Sequence, residues 1–258
     1  MLILARGQRT LLLAASLLLA HPMLCLGAPG GGLAGSAHDF TNRADIYVGL
    51  CTFCHTPHKG QSTALLWNHT LSDNTYSWSD VTLTQAGTVL PTFTKTWNGP
   101  TPKCLSCHDG SVAVGDLNWF DGQSRQGASN VWSERHDQAD KVNVGFGGNM
   151  SGNHPVVVPF PGTGTRQYGG TQTGGAVVAS EWKADPTASG IVLFKASDAT
   201  LGATVTRVIA APNSGDNLGI ECASCHDPHN KLTVAKYFLR GKMTGSDAQY
   251  ICLKCHTK

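Results

Sequence analysis

Apolar residues along this chain gather into short runs rather than long periodic faces. The earliest, Leu11 to Ala20, ends at His21-Pro22 and is too short to span a bilayer as a helix. Three later runs are rich in β-branched and aromatic residues and are bounded by Gly, Pro or Ala: Pro155-Val-Val-Val-Pro159, Gly190-Ile-Val-Leu-Phe194 and Ala203-Thr-Val-Thr-Arg-Val-Ile-Ala210. Each reads as a strand. A Gly/Thr-rich loop, Pro161 to Gly175, separates the first two. Near the end, Ser246-Asp247 reads as the cap of a short helix through Tyr250 and Ile251. With 30 glycines and 12 prolines in 258 residues, little regular structure is expected elsewhere.

Arg6 and Arg9 precede the Leu11 to Ala20 run, and small residues follow at Gly27-Ala28 and Ala34-Gly-Ser-Ala37. That order is the pattern of a secretory signal. The expected organisation is a signal peptide over residues 1–37, cut between 28 and 37, and a mature domain over 38–258. Losing the two arginines takes the formal net charge from +2 to 0. No basic run is interleaved with aromatics, which argues against nucleic acid as a partner. No other stretch is long and apolar enough to anchor the mature chain in a membrane. The expected location is secreted, extracellular or at the cell surface, with the periplasm as the alternative.

Eight of the nine cysteines fall into four copies of Cys-x-x-Cys-His. They are Cys51-Thr-Phe-Cys54-His55, Cys104-Leu-Ser-Cys107-His108, Cys222-Ala-Ser-Cys225-His226 and Cys252-Leu-Lys-Cys255-His256. This is the attachment pattern of a c-type haem. Two thiols three positions apart can each form a thioether to the porphyrin, and the following His reaches the iron. Zinc is the competing reading, because paired Cys-x-x-Cys motifs also build zinc ribbons. Zinc has no need of a His after every second cysteine, and all four copies have one. The expected cofactors are four covalently attached haem c groups.

The motifs form two pairs, and within each the first continues as His-x-Pro-His (His55 to His58, His226 to His229) and the second begins Cys-Leu. A repeated two-haem module is the expectation, interrupted by a haem-free, β-rich insertion at about 109–221. The expected fold is mostly irregular and haem-cored, with short helices at the Cys-x-x-Cys-His motifs and the β-rich insertion as decoration.

Outside the signal, six histidines remain as second axial ligands for four irons: His38, His58, His69, His136, His154 and His229. A His three residues beyond its own motif cannot reach round to the opposite haem face. Pro57 and Pro228 turn the chain away as well. His58 and His229 are therefore expected to ligate other haems, with His229 assigned to the haem of Cys252 and Cys255. His154 precedes an apolar run and can face inward, His38 begins the mature chain, and His69 and His136 are reserves.

His38-Asp-Phe40, Cys51-x-x-Cys-His-Thr-Pro-His58, Leu65-Leu-Trp-Asn68, Cys104-Leu-Ser-Cys-His-Asp-Gly110, Asn153-His-Pro-Val156, Glu221-Cys-x-x-Cys-His-Asp-Pro-His229 and Phe238-Leu-Arg240 together resemble the exported tetrahaem cytochromes. Some of these polymerise into extracellular "nanowire" filaments. The resemblance implies bis-histidine haems in a continuous stack, with His38, His58, His154 and His229 as distal ligands. It also implies a head-to-tail homopolymer, joined through His38, that exchanges electrons with other redox proteins or extracellular acceptors. The expected function is electron transfer without catalysis. The alternatives are a monomeric periplasmic shuttle and the electron-transfer subunit of a multihaem reductase.

Overall fold

The computed structural model describes residues 28–41, 49–60, 64–79, 90–160, 168–169, 179–198, 203–211 and 217–257. Most of the expected signal, Cys25 and all but Tyr168 and Gly169 of the Pro161 to Gly175 loop lie outside them. Helix α1 is Thr101–His108 and helix α2 is Cys222–Cys225. Among the described residues six strands form two antiparallel sheets. No helix among the described residues is long and apolar enough to cross a membrane.

The smaller sheet pairs β1 (Leu117–Phe120) with β2 (Gln123–Arg125). Asp121 and Gly122 join them with φ of 49° and 73°, the left-handed pair that matches hairpin twist and that Asp-Gly adopts readily. The larger sheet has the order β3-β6-β4-β5, from Val158–Pro159, Leu218–Ile220, Leu193–Ala196 and Val205–Val208. Its longest ladder sets Leu193 opposite Val208 and Ala196 opposite Val205.

All three runs expected to be strands contribute to this sheet, the first and third shortened and the second shifted to Leu193–Ala196. In the first, Val157 has φ of 59°, which breaks the ladder until Val158. Strands β1, β2 and β6 were not expected. The helix expected after Ser246-Asp247 is instead a turn, in which Tyr250 N–H donates to the Asp247 carbonyl (2.9 Å). A single 3₁₀ turn follows at Cys252–Lys254.

The expected fold class does not hold. The core is built from side chains of the chain itself, in three apolar clusters that the sheets and motifs share. The largest gathers Tyr76, Trp78, Phe93, Trp97, Leu105, Met150, Tyr168 and Phe194 with Cys222 and Ala223 against it. A second centres on Phe53, Val114, Leu117 and Phe120. The third joins Phe160, Ile191, Leu193, Leu218 and Ile220, with Cys255 at its edge. Porphyrin is not needed to fill these interiors, because interlocked aromatic and branched side chains already exclude water from them. The β elements are structural centre rather than decoration. Nor is a helix present at every motif. Motifs two and three are helical, the fourth is one 3₁₀ turn, and the first is formed of turns.

Candidate functional site

A single backbone bond closes the attachment turns outside α1. The N–H of His55, His226 and His256 donates to the carbonyl of Cys51, Cys222 and Cys252, at 2.9, 3.0 and 2.9 Å. That helical spacing sets the thiols and the imidazole near one another on one side of the turn. All eight described cysteines are free thiols.

The imidazoles that follow are oriented through Nδ1. It lies against the carbonyl of Leu65 for His55 (2.6 Å), Val142 for His108 (2.8 Å) and Tyr237 for His226 (2.6 Å). A carbonyl can only accept, so Nδ1 carries the proton and Nε2 keeps a lone pair for a metal.

Motifs one and three share one cradle. After His55, Thr56 N–H donates to the Leu66 carbonyl and Asn68 N–H to the Cys54 carbonyl; after His226, Asp227 N–H donates to Phe238 and Arg240 N–H to Cys225. In both copies two consecutive residues adopt left-handed backbone, Leu65 and Leu66 at 63° and 51°, Tyr237 and Phe238 at 60° and 57°. Such conformations cost on the order of 1–3 kcal/mol each in non-glycine residues. Here they aim a carbonyl at Nδ1 in the same way twice. The repeat read from the motifs is thus a repeat of backbone geometry.

Imidazole pairs come next. His229 lies opposite His55, with ring centroids 6.2 Å apart and planes 18° apart. His136 faces His108 at 5.8 Å and 11°, and His154 faces His256 at 6.4 Å and 63°. Two imidazoles bound to one iron through bonds of about 2 Å place their centroids roughly 6 Å apart. His38 is 6.1 Å from His108, lies tilted by 37° against Phe238 at 4.6 Å, and donates from Nδ1–H to the Pro228 carbonyl (3.2 Å). Burial first, then the neighbouring His108, pushes its pKa down to about 4, with His229 and His226 adding smaller effects of the same sign.

His229 is therefore brought to the first motif and not to the fourth, to which it was assigned. His136, held in reserve, pairs with a proximal histidine. His58 is exposed, and no aromatic ring stands near it among the described residues. His69 is buried with Nδ1 at the Thr70 carbonyl (2.8 Å) and Nε2 at the Ala113 carbonyl (2.9 Å), so neither nitrogen is left for a metal. His69→Ala should lower stability by about 1–3 kcal/mol, read by denaturant unfolding, without altering any spectroscopic signal of the other histidines.

The thiols of successive motifs approach one another in chain order. Cys107 of the second motif acts electrostatically on Cys54 of the first, and Cys104 lies within hydrogen-bonding reach of Cys222. Cys225 senses Cys255 and Cys252. Burial drives Cys54, Cys107 and Cys225 up to about 12 and Cys255 to about 11.

The surroundings fit a flat apolar group bearing carboxylates. Leu65, Val142 and Tyr237, whose carbonyls hold the proximal imidazoles, are 57%, 40% and 54% exposed, so apolar side chains face open space beside three motifs. Four buried donors lack partners among the described residues, Trp67 Nε1, Trp78 Nε1, Arg125 Nε and Arg240 Nη1, and two of them stand beside the motifs. Trp67 Nε1 stands on a ring 6.0 Å from His55, and Arg240 Nη1 belongs to a side chain 4% exposed next to Cys225. Arg240 otherwise has only long contacts, 3.4 Å to the Ala223 carbonyl and 3.6 Å to Asp227. Buried donors of this kind call for an acceptor. Among the described residues no group of three or more His, Cys, Asp and Glu side chains is placed to hold a metal ion.

No family model matches this chain, and no curated protein matches it. Sequence reasoning missed the His108 and His136 pair, the buried Glu221 and the partnerless donors. Trp67, Glu221 and Arg240 each stood in a quoted motif, Leu65-Leu-Trp-Asn68, Glu221-Cys-x-x-Cys-His-Asp-Pro-His229 and Phe238-Leu-Arg240, but none of these motifs pointed to its buried partners.

Proposed function

We propose that this chain is an exported electron-transfer protein carrying four haem c groups, one on each Cys-x-x-Cys-His motif. The observation that carries the reading is the repeated cradle, a proximal imidazole pinned through Nδ1 with its Nε2 bare beside exposed apolar side chains, with a second imidazole 6.2 Å away in the first copy. When bound, haem supplies one-electron iron chemistry. The chain's own part is to hold and orient. Cys51, Cys54, Cys104, Cys107, Cys222, Cys225, Cys252 and Cys255 provide the thioether sulfurs. His55, His108, His226 and His256 are the proximal ligands, and His229, His136, His38 and His154 the distal ones. Trp67 and Arg240 offer donors to the carboxylates. His55, His108 and His256 each face a second imidazole, and His38 is left to serve His226; two imidazoles per iron favour a carrier over an enzyme.

A pyridine haemochrome assay should give four haems per chain, and the reduced protein should not bind carbon monoxide. Fewer than four haems, or binding of a full equivalent of carbon monoxide, defeats the proposal.

The wider reading is a head-to-tail homopolymer outside the cell that exchanges electrons with other redox proteins or acceptors. A monomeric carrier is the second reading, and one contact favours it: His38 rests on its own chain's Pro228 carbonyl. His38→Ala separates them. A polymer should lose its filaments in negative-stain microscopy, while a monomer should keep its size and turn one haem high-spin.

A further inference from the structure

Glu221 is a fully buried acid placed where helices α1 and α2 meet. Its Oε1 accepts from Trp97 Nε1–H (2.7 Å) and from the Tyr168 hydroxyl (2.9 Å). Its Oε2 accepts from the N–H of Thr101, the first residue of α1 (3.1 Å). Its own N–H donates to Ser224 Oγ within α2 (3.0 Å), a reciprocal cap on that four-residue helix. One carboxylate therefore spans the start of both helices.

Thr101 completes the connection. Its hydroxyl accepts from Cys222 N–H (3.2 Å) and reaches Cys222 Sγ (3.6 Å). Cys104, one turn further along α1, lies within hydrogen-bonding reach of Cys222. The sulfurs of motifs two and three thus meet because the two helix starts are tied together.

Two glycines are shaped to this latch. A Cβ on Gly99 would sit 2.4 Å from Glu221 Oε1 and 2.3 Å from Trp97 Nε1. A Cβ on Gly219 of β6 would meet the Tyr168 ring at 2.2 Å, so its absence lets that ring lie on the strand and bring its hydroxyl to the acid. Lys103, also buried, donates from Nζ to the carbonyls of Asn98 and Gly99 (3.0 and 2.9 Å) and holds the same loop. Burying a carboxylate is costly unless donors surround it, and here three converge on it.

We infer that Glu221 is a positioning residue that sets the contact between the second and third haem attachment sites, the middle junction of the electron path. This rests on the haem reading above. The acid touches no expected iron ligand, and its effect is exerted through Thr101 and Cys222.

The test is Glu221→Gln in the haem-loaded protein, with Tyr168→Phe as its control. The glutamine keeps an oxygen for Trp97 and Tyr168 but sets its NH₂ against the Thr101 N–H, donor against donor, and so releases α1. Tyr168→Phe removes one donor and leaves the α1 bond intact. Soret circular dichroism should lose the exciton couplet of one haem pair in Glu221→Gln and retain it in Tyr168→Phe. Both should keep four low-spin haems. If Glu221→Gln yields no folded protein, Thr101→Val is isosteric and removes only the hydroxyl bridge to Cys222, and the same loss is expected. An intact couplet in the folded Glu221→Gln or Thr101→Val protein, with only thermal stability lowered, overturns the inference. Fewer than four haems in the wild-type protein overturns instead the reading on which it rests.

Discussion

Replacing His229 by alanine should convert the haem at Cys51 and Cys54 to high spin and leave the haems at Cys222/Cys225 and Cys252/Cys255 low-spin. The cause is spatial. His229 follows the third motif in sequence, yet its ring lies opposite His55, with centroids 6.2 Å apart. Pro228 follows Asp227 in a turn that Asp227 stabilises by accepting from the N–H groups of Leu232 (2.7 Å), Lys231 (3.2 Å) and His229 (3.2 Å), and this turn carries the imidazole to its neighbour. A full haem equivalent of high-spin signal should appear in the oxidised protein by electron paramagnetic resonance. Peptide mass mapping should still find haem at all four motifs, since every thiol is untouched. His58→Ala should leave all four haems low-spin, because His58 faces solvent. High-spin haem at the third or fourth motif in His229→Ala would rule out the pairing.

Phe93→Ala should cost about 3–5 kcal/mol of stability, the range for deleting a buried aromatic ring. Phe93 is fully buried, stacks on Tyr76 at 5.1 Å and meets Trp78 at 6.0 Å. The ladder contact between Tyr76 and Phe93, with N–H to carbonyl distances of 2.8 and 3.1 Å, fixes the ring in place. In a fold cored by porphyrin this substitution would matter little, and in one cored by its own aromatics it should lower the denaturation midpoint of the haem-loaded protein sharply. Haem stoichiometry should be unchanged in the fraction that folds. An unfolding free energy within about 0.5 kcal/mol of wild type, the range of an ordinary surface change, would contradict the core described here.

The motif turns were legible along the chain, because their geometry is local. A Cys-x-x-Cys-His turn needs only five consecutive residues and one backbone bond, and the two His-x-Pro-His continuations advertise a cradle whose hydrogen bonds recur in both copies. The Val- and Ile-rich runs marked three strands for the same reason, since β-branched side chains declare themselves to a reader of neighbours. The Asp121-Gly122 turn was equally local and was overlooked. The fold class was misjudged because the aromatics of the main core, from Tyr76 to Phe194, are scattered singly through polar loops and show no period until the chain has closed.

Which histidine faces which could not be read in sequence. His55 and His229 are 174 positions apart and His154 and His256 are 102 apart, and no rule of spacing links them. The same holds for Glu221, whose donors Trp97, Thr101 and Tyr168 come from two distant segments. The sequence by itself determined where the four Cys-x-x-Cys-His turns stand and which histidines are at hand to pair with them. Tertiary structure decided the partners, because distance between imidazoles, burial of an acid and exposure of an apolar face are properties of the closed chain, set by how its sheets and turns pack.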